Sequence, residues 1–235
     1  RQITNDPGAN FAIEQVIKPG LRLHDRLLLE YGFDSVIFLC PYVGTGDVYL
    51  ASMYLEHYLD EQDIENFVLA VIGEGNRKVA KLFNIKNVAK LNQFEADTLI
   101  RLAMFLGEDN QDIIVLHHDA PQVYFGILEN FRNINDINFT DLLVNVVYQH
   151  GPEKYAQKPV FAYNRSEIDK LFEKHGLQRG KTVILSPYAN TLSLLPTWVW
   201  EHLAKDLSDK GFSVATNCGN ADEKKIKGTK AVFFD

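Results

Sequence analysis

Short apolar runs with no polar alternation constrain this chain most, because a strand of that kind has to be covered on both faces. The clearest run is Ser-Val-Ile-Phe-Leu-Cys at residues 35–40, and similar runs occupy residues 66–72 and 112–117. Amphipathic stretches with helical spacing lie between them. Strands buried on both faces occur almost only in parallel sheets flanked by helices, so the pattern predicts an α/β fold built from βαβ units.

The same pattern assigns the elements of the first part of the chain. Strands are predicted at 35–40, 66–72, 87–91 and 112–117, and helices at 48–58, 74–83, 94–106, 122–131 and 139–148. Residues 150–159 hold two prolines and a glycine and break every period, which is typical of a domain boundary. We therefore expect an N-terminal domain at 1–150, a linker at 151–163 and a C-terminal domain at 164–235.

Alternation of strands and helices resumes after the linker. It predicts a helix at 166–175, a strand at 182–186, a helix at 196–210, and strands at 212–216 and 230–234. Ser166 and Asp169 form an S-x-x-D start that is expected to cap the first helix, and Gly176 is expected to end it. A doubly wound domain usually has about six strands. With three strand candidates before Asp235, this second Rossmann-like unit is expected to be incomplete.

Composition and charge exclude several classes of protein. The formal net charge is −7 and 46% of the residues are hydrophobic, which excludes a disordered chain and a nucleic-acid binder that works through bulk basic charge. No apolar run reaches the roughly 20 residues of a membrane-spanning helix. The sequence has no D-x-D, H-x-x-x-H or clustered Cys/His spacing, so we predict no metal site.

The two cysteines and the N-terminal residues bear on location. Cys40 and Cys218 are far apart in the sequence, and each is expected to be a small buried side chain in a reducing compartment. The chain begins at Arg1 and shows no charged-then-apolar signal segment. We expect a cytoplasmic protein with no transmembrane segment, and any association with a membrane to be peripheral and at its inner face.

Gly44-Thr45-Gly46-Asp47 is the segment best placed for chemistry, because it follows the first strand and precedes a helix. Ligands of open α/β sheets bind outside the carboxyl ends of the strands. Glycines let the backbone approach a ligand, and a helix N-terminus favours anionic or polar groups. The third glycine of a dinucleotide fingerprint is replaced by Tyr49, and no P-loop segment is present.

Asp47 has two interpretations. A carboxylate at a helix start is an ordinary N-cap, which by itself is about twice as common as catalysis. In the crevice of an α/β sheet the same carboxylate would be a general base that takes a proton from an acceptor hydroxyl. Sequence spacing leaves both interpretations open.

Two further groups of residues are candidates for the site. His117 and His118 end the fourth strand, and at most one of them points to a given side of the sheet. One would be a proton shuttle or substrate contact, or both are ordinary polar residues at a strand end. In the second unit, Ser186, Asn190 and Thr191 follow a strand and would hold a diphosphate, or cap the next helix.

These motifs together resemble the heptosyltransferase-like (family 9) glycosyltransferases. The segment 36–51, VIFLCPYVGTGDVYLA, is similar to the family's first strand and its G-D-V helix start. The segments 183–190, VILSPYAN, and 195–204, LPTWVWEHLA, are similar to the start of its C-terminal domain, and 212–217, FSVATN, to the next strand. No single motif is specific; the resemblance depends on their order and spacing.

The resemblance implies a GT-B fold with the active site between two Rossmann-like domains. It implies inverting transfer of a sugar from a nucleotide-sugar donor to a glycan or lipid-linked acceptor, with no metal and no cofactor beyond the co-substrate. Asp47 would be the catalytic base, and Gly44, Thr45, Gly46, His117 and His118 would line the acceptor side. Ser186, Asn190 and Thr191 would bind the donor.

Two departures from the family keep an alternative open. The family usually has a Lys or Arg before the tryptophan-bearing helix, whereas residues 191–195 carry no cation. The chain also ends before the family's later nucleotide-contacting loop. A non-catalytic, glycosyltransferase-like binding protein or accessory subunit is therefore the second hypothesis. An epimerase of nucleotide-sugars is disfavoured, because the sequence has no Tyr-x-x-x-Lys element.

Overall fold

In the computed structural model the chain divides into two α/β units, residues 1–161 and 162–235. The structure describes residues 6–107, 110–117, 147–148, 156–161, 164–188, 195–219 and 224–233. Each unit is built on a parallel sheet, as the unalternated apolar runs predict. The predicted α/β class is therefore confirmed.

The first unit contains a four-stranded sheet in the order β3-β2-β1-β4. Its strands are β1 (Val36–Cys40), β2 (Phe67–Ile72), β3 (Val88–Leu91) and β4 (Ile113–Val115). All pairings are parallel, and Phe38 pairs with Leu69 on one side and Ile114 on the other. The chain builds outward from β1 to β3 and then returns to the other side of β1. The gap between β1 and β4 is therefore the topological switch point of this sheet.

Helices cover both faces of this sheet. They are α1 (Pro7–Ala12), α2 (Lys18–Tyr31), α3 (Thr45–Glu61), α4 (Gly73–Lys81) and α5 (Gln93–Leu106). Ile37 and Leu39 face a core shared with α2 and α5, whereas Phe38 and Cys40 face a core shared with α3 and α4. Successive residues of a strand point to opposite faces, so burial on both sides explains the lack of polar alternation in β1.

The N-terminal helices have no counterpart in the sequence-based assignment, which begins at residue 35. Prolines and glycines interrupt residues 7–31, yet the stretch is helical, with a π turn at Ile13–Ile17 between α1 and α2. This wider turn comes just before Pro19, whose ring in a regular α-helix would meet the carbonyl four residues earlier. Burial of Leu23 and Leu27 against the sheet outweighs the poor local propensity.

The second unit contains the parallel sheet β5-β6-β7. Its elements are α6 (Arg165–His175), β5 (Thr182–Leu185), α7 (Thr197–Asp209), β6 (Ser213–Asn217) and β7 (Lys230–Val232). The prediction that Ser166 caps α6 is wrong: the cap is Asn164, whose side chain accepts a hydrogen bond from the Ser166 N–H at 3.0 Å. Gly176 ends α6 in the left-handed conformation at φ 61°, as predicted.

Residues 156–160 belong to the first unit, and backbone hydrogen bonds tie them to α3 and to the end of α4. The Gln157 N–H donates to the Met53 carbonyl at 2.9 Å, and the Val160 N–H donates to the Leu82 carbonyl.

The helices predicted at 122–131 and 139–148 lie outside the described residues, except for the buried Val147 and Tyr148. In the described ranges, no helix is both long and apolar enough to cross a bilayer.

Gly20 is expected to tolerate no side chain. A Cβ on Gly20 would lie 2.7 Å from the Leu102 Cβ, which would push α2 away from α5. Alanine in place of glycine stabilises a helix by up to about 1 kcal/mol, but overpacking of the core destabilises the protein by about 1–3 kcal/mol. We therefore expect Gly20→Ala to lower the free energy of unfolding measured with urea. Gly46→Ala in α3, where a Cβ meets no atom within 4 Å, is the control and should be neutral or stabilising. Equal effects would contradict this packing account.

Candidate functional site

The candidate site lies at the carboxyl edge of the first sheet, around its switch point. The loop after β1 leads through Tyr42 and Gly44 into α3, and His117 follows β4 closely. The Tyr42 and His117 rings are in contact, with centroids 5.0 Å apart and planes inclined by 32°. This contact joins the two loops where a ligand of an open α/β sheet would bind.

The structure places Asp47 in the first turn of α3, and it is not the N-cap. Gly44 occupies the cap position and offers no side chain, so the N-cap interpretation of Asp47 is wrong. Asp47 is partly exposed, and its carboxylate makes no hydrogen bond or salt bridge with any residue that the structure describes. The carboxylate is therefore available to an external group.

Gly44 leaves room for this carboxylate in its observed position. A Cβ on Gly44 would lie 2.7 Å from the Asp47 Oδ2, closer than the two atoms can approach. Gly46 directly precedes Asp47. It is exposed, and a Cβ on it would meet no atom within 4 Å. The two glycines predicted for the acceptor side thus differ in role: one makes room for Asp47, and the other leaves the helix start uncovered. Thr45 lies between them and is exposed.

The first turn of α4 holds the loop after β1, a feature that the sequence analysis missed. Asn76 is only 2% exposed, and its Nδ2 donates to the Tyr42 carbonyl at 2.9 Å and to the Val43 carbonyl at 3.4 Å. A Cβ on Gly75 would lie 3.8 Å from the Thr45 methyl group. The sequence signal was the Gly-Glu-Gly-Asn segment directly after β2, at the same sheet edge as Gly44.

Two buried polar groups, the Cys40 thiol and the Tyr148 hydroxyl, belong to the core that α3 covers. Burial raises the pKa of the Cys40 thiol to about 12; a hydrogen bond involving the Tyr42 backbone opposes this shift and the Asp47 charge adds to it. The Tyr148 hydroxyl donates to the Ala51 carbonyl inside α3, and burial raises its pKa well above the ordinary value. Both groups are therefore neutral near pH 7. Cys40 is a packing residue, as the sequence predicts.

The corresponding edge of the second unit carries Ser186 and a cation. Ser186 is exposed directly after β5, and two residues on, the Tyr188 hydroxyl donates to the Lys224 carbonyl. The Lys224 Nζ lies 5.4 Å from the centre of the Tyr188 ring. After β6, the Asn217 Oδ1 accepts a hydrogen bond from the Gly219 N–H at 3.2 Å. The sequence analysis missed Lys224 because this lysine follows β6 rather than β5.

Three of the predicted site residues cannot be compared with the structure. His118, Asn190 and Thr191 lie outside the described residues. Among the residues that the structure does describe, no three His, Cys, Asp or Glu side chains are arranged to hold a metal ion.

A cavity lies at the opposite edge of the first sheet. It has a volume of about 460 Å³, and Leu55, Glu56, Phe67, Phe83 and Asn87 are among the residues that line it. Phe67 begins β2 and Asn87 precedes β3, so this cavity lies at the amino ends of the strands. Ligands of open α/β sheets bind at the carboxyl ends, so topology favours the Asp47 edge over this cavity.

Comparison with solved structures finds likeness to two enzymes of E. coli. ADP-heptose LPS heptosyltransferase II matches with 13% identity and a TM-score of 0.48 over 79% of this chain and 65% of that chain. Heptosyltransferase WaaC with ADP matches with 11% identity and a TM-score of 0.47 over 85% of this chain and 75% of that one. No protein-family model and no curated protein matches the sequence.

Likeness at this level does not define an activity. The chain spans slightly less than two thirds of the length of the first of these structures, at 65%. The chain's own residues define an α/β protein whose first unit has a partly exposed carboxylate at its switch point.

The Cys40 thiol is expected to resist modification in the native protein. With a pKa of about 12, it is protonated through neutral and mildly alkaline pH, and it is fully buried. Because the thiolate is the reactive species, labelling by a disulfide reagent at pH 8 should be far slower than for a free cysteine. Peptide mapping by mass spectrometry separates Cys40 from Cys218. Labelling of Cys40 at the free-thiol rate, with the chain folded by circular dichroism, would contradict this packing.

Proposed function

We propose that the chain is an inverting glycosyltransferase. It would transfer a sugar from a nucleotide-sugar to a hydroxyl of a glycan or lipid-linked acceptor, without a bound metal. The observation that carries the proposal is the Asp47 carboxylate, which is partly exposed at the switch point and has no hydrogen-bonding partner among the described residues. The G-D-V setting of Asp47, with its resemblance to family 9 glycosyltransferases, supports the same assignment.

In this mechanism Asp47 takes the proton from the acceptor hydroxyl. The acceptor oxygen forms a bond to the anomeric carbon of the donor sugar as the bond between that carbon and the diphosphate oxygen breaks. The nucleoside diphosphate leaves with the electron pair of the broken bond. Attack from the side opposite the leaving group inverts the anomeric configuration. The ring contact of Tyr42 with His117 would border the acceptor.

The charge that develops on the leaving diphosphate needs a cation or hydrogen-bond donors. Ser186, Asn190 and Thr191 are the donor-side residues proposed from the sequence. Lys224 would add the positive charge that residues 191–195 lack, because its ammonium group lies beside the ring of Tyr188, two residues after Ser186. Lys224 makes no salt bridge within the described part of the chain, so its charge is available to a ligand.

The second candidate is a non-catalytic, glycosyltransferase-like protein or accessory subunit that binds a partner or a nucleotide. The absence of a cation in residues 191–195 is the observation that favours it. The two candidates differ in one measurable respect: only the enzyme transfers sugar. The sequence predicts a cytoplasmic protein, and a lipid-linked acceptor would bring it to the inner face of the membrane.

Asp47→Asn is expected to abolish most of the transfer while the chain stays folded. The amide keeps the shape of the side chain and removes the base, and a positioned general base contributes about 10²–10⁴-fold to the rate. We expect kcat to fall by that factor, with donor binding unchanged. Asp60→Asn, near the other end of α3, is the matched control and should transfer at the wild-type rate. Transfer by Asp47→Asn at a near-wild-type rate would overturn the assigned role.

Lys224→Ala is expected to weaken binding of nucleoside diphosphate. A charge-assisted contact contributes about 1.5–3 kcal/mol, so the dissociation constant measured by calorimetry should rise about 10-fold or more. Lys225→Ala removes the neighbouring exposed charge and should change the constant by less than about 2-fold. The same small effect for both variants would show that Lys224 adds only to the general surface charge.

A further inference from the structure

Asn76 is a buried polar side chain without a role in the proposed reaction. It lies in the first turn of α4, and its two hydrogen bonds go to the carbonyls of Tyr42 and Val43, the residues that lead from β1 to the start of α3. The side chain is 2% exposed. It therefore acts on the loop from inside the protein and does not meet a ligand.

The orientation of the Asn76 amide is fixed by these bonds. Both partners are carbonyl oxygens, which accept and cannot donate, so the amide nitrogen has to face them. The amide oxygen is buried and has no hydrogen-bonding partner among the residues that the structure describes. An unsatisfied buried acceptor is destabilising. The amide oxygen of Asn76 therefore lowers stability, and what the side chain contributes is the pair of bonds from its nitrogen to the Tyr42 and Val43 carbonyls.

The nitrogen holds the part of the loop that determines where Asp47 lies. The Val48 N–H donates to the Gly44 carbonyl at 3.3 Å, which closes the first turn of α3 directly after the two bonded carbonyls. The Asp47 carboxylate packs against the Cα of Gly44, where a Cβ would be 2.7 Å from its Oδ2. A shift of residues 42–43 would therefore move Gly44 and, with it, the carboxylate. A Cβ on Gly75, the residue before Asn76, would lie 3.8 Å from the Thr45 methyl group, so this turn of α4 also lies close to the start of α3.

We propose that Asn76 is the positioning residue of this site: its amide holds the loop after β1 so that the start of α3 presents Asp47 to the acceptor. The role of Asp47 in this statement rests on the proposed function, whereas the effect of Asn76 on the loop does not. Misplacement of a catalytic group by about 1 Å can cost about 100-fold in rate.

The test compares Asn76→Ala with Asn87→Ala. Asn87 makes a similar bond, from its Nδ2 to the Phe67 carbonyl at 3.2 Å, but at the amino edge of the same sheet. Each variant thus removes a side-chain amide bonded to backbone at one edge of the sheet. Stability is measured by urea unfolding, loop geometry by backbone amide and His117 ring resonances in NMR, and transfer by steady-state kinetics under conditions where both variants are fully folded.

Asn76→Ala should shift the amide resonances of residues 43–47 and the His117 ring resonances, and should lower kcat by about 10- to 100-fold with a smaller change in KM. Asn87→Ala should leave both readouts as in wild type. Asn76→Ser keeps a small hydrogen-bond donor, should give intermediate effects, and replaces the alanine variant if that does not fold. Wild-type loop resonances and wild-type kcat in the Asn76 variants would overturn the proposal.

The two proposals fail in different ways. If the wild-type protein shows no transfer with any donor, the proposed function falls, and the NMR comparison alone decides whether Asn76 positions the loop. If transfer occurs and depends on Asp47 but not on Asn76, the function stands and the positioning role falls.

Discussion

The burial of β1 on both faces is the constraint on which the first unit depends. Residues 37–40 are completely inaccessible, so each side of the strand needs its own helical layer. A strand of this kind occupies the centre of a sheet, with β2 on one side and β4 on the other. The central position in turn creates the switch point, because the chain has to cross from one side of β1 to the other.

The candidate site follows from this arrangement. The loop after β1 ends at the switch point, and α3 starts there with a glycine as its cap, so the carboxylate of Asp47 has no hydrogen-bonding partner among the residues that the structure describes. Asn76, in the helix that follows β2, hydrogen-bonds to this loop, and the Tyr42 ring contacts His117, which follows β4. The site is therefore assembled from the ends of three neighbouring strands, and its geometry depends on the same packing that keeps β1 buried.

The fold class and most elements could be predicted because burial on two faces removes polar residues from the strands, and this is visible in the sequence. Residues 7–31 could not be predicted, because local propensity disfavours a helix through Pro19 and Gly20 and only packing against Leu102 and the sheet explains it. The Asn164 cap was missed because Ser166 offers an equally good local pattern.

The site was predictable only in part, for a similar reason. Gly44 and Asp47 are close in sequence and follow a clear strand, so their place at a sheet edge could be inferred. Asn76 acts on residues 33 and 34 positions earlier, and Lys224 lies beside a tyrosine 36 positions earlier. No short-range spacing marks such partners, and they become apparent only when the parallel strands are placed side by side.

The central claim is that ligands bind at the carboxyl edges of the sheets rather than in the large cavity. The most direct measurement is an NMR titration of the labelled chain with UDP, GDP, ADP and CMP, each with and without magnesium. The account predicts that one nucleotide binds independently of magnesium and shifts the amide resonances of Ser186, Tyr188 and Lys224. Shifts confined to the cavity residues Leu55, Phe67 and Asn87, or no binding by any nucleotide, would contradict it.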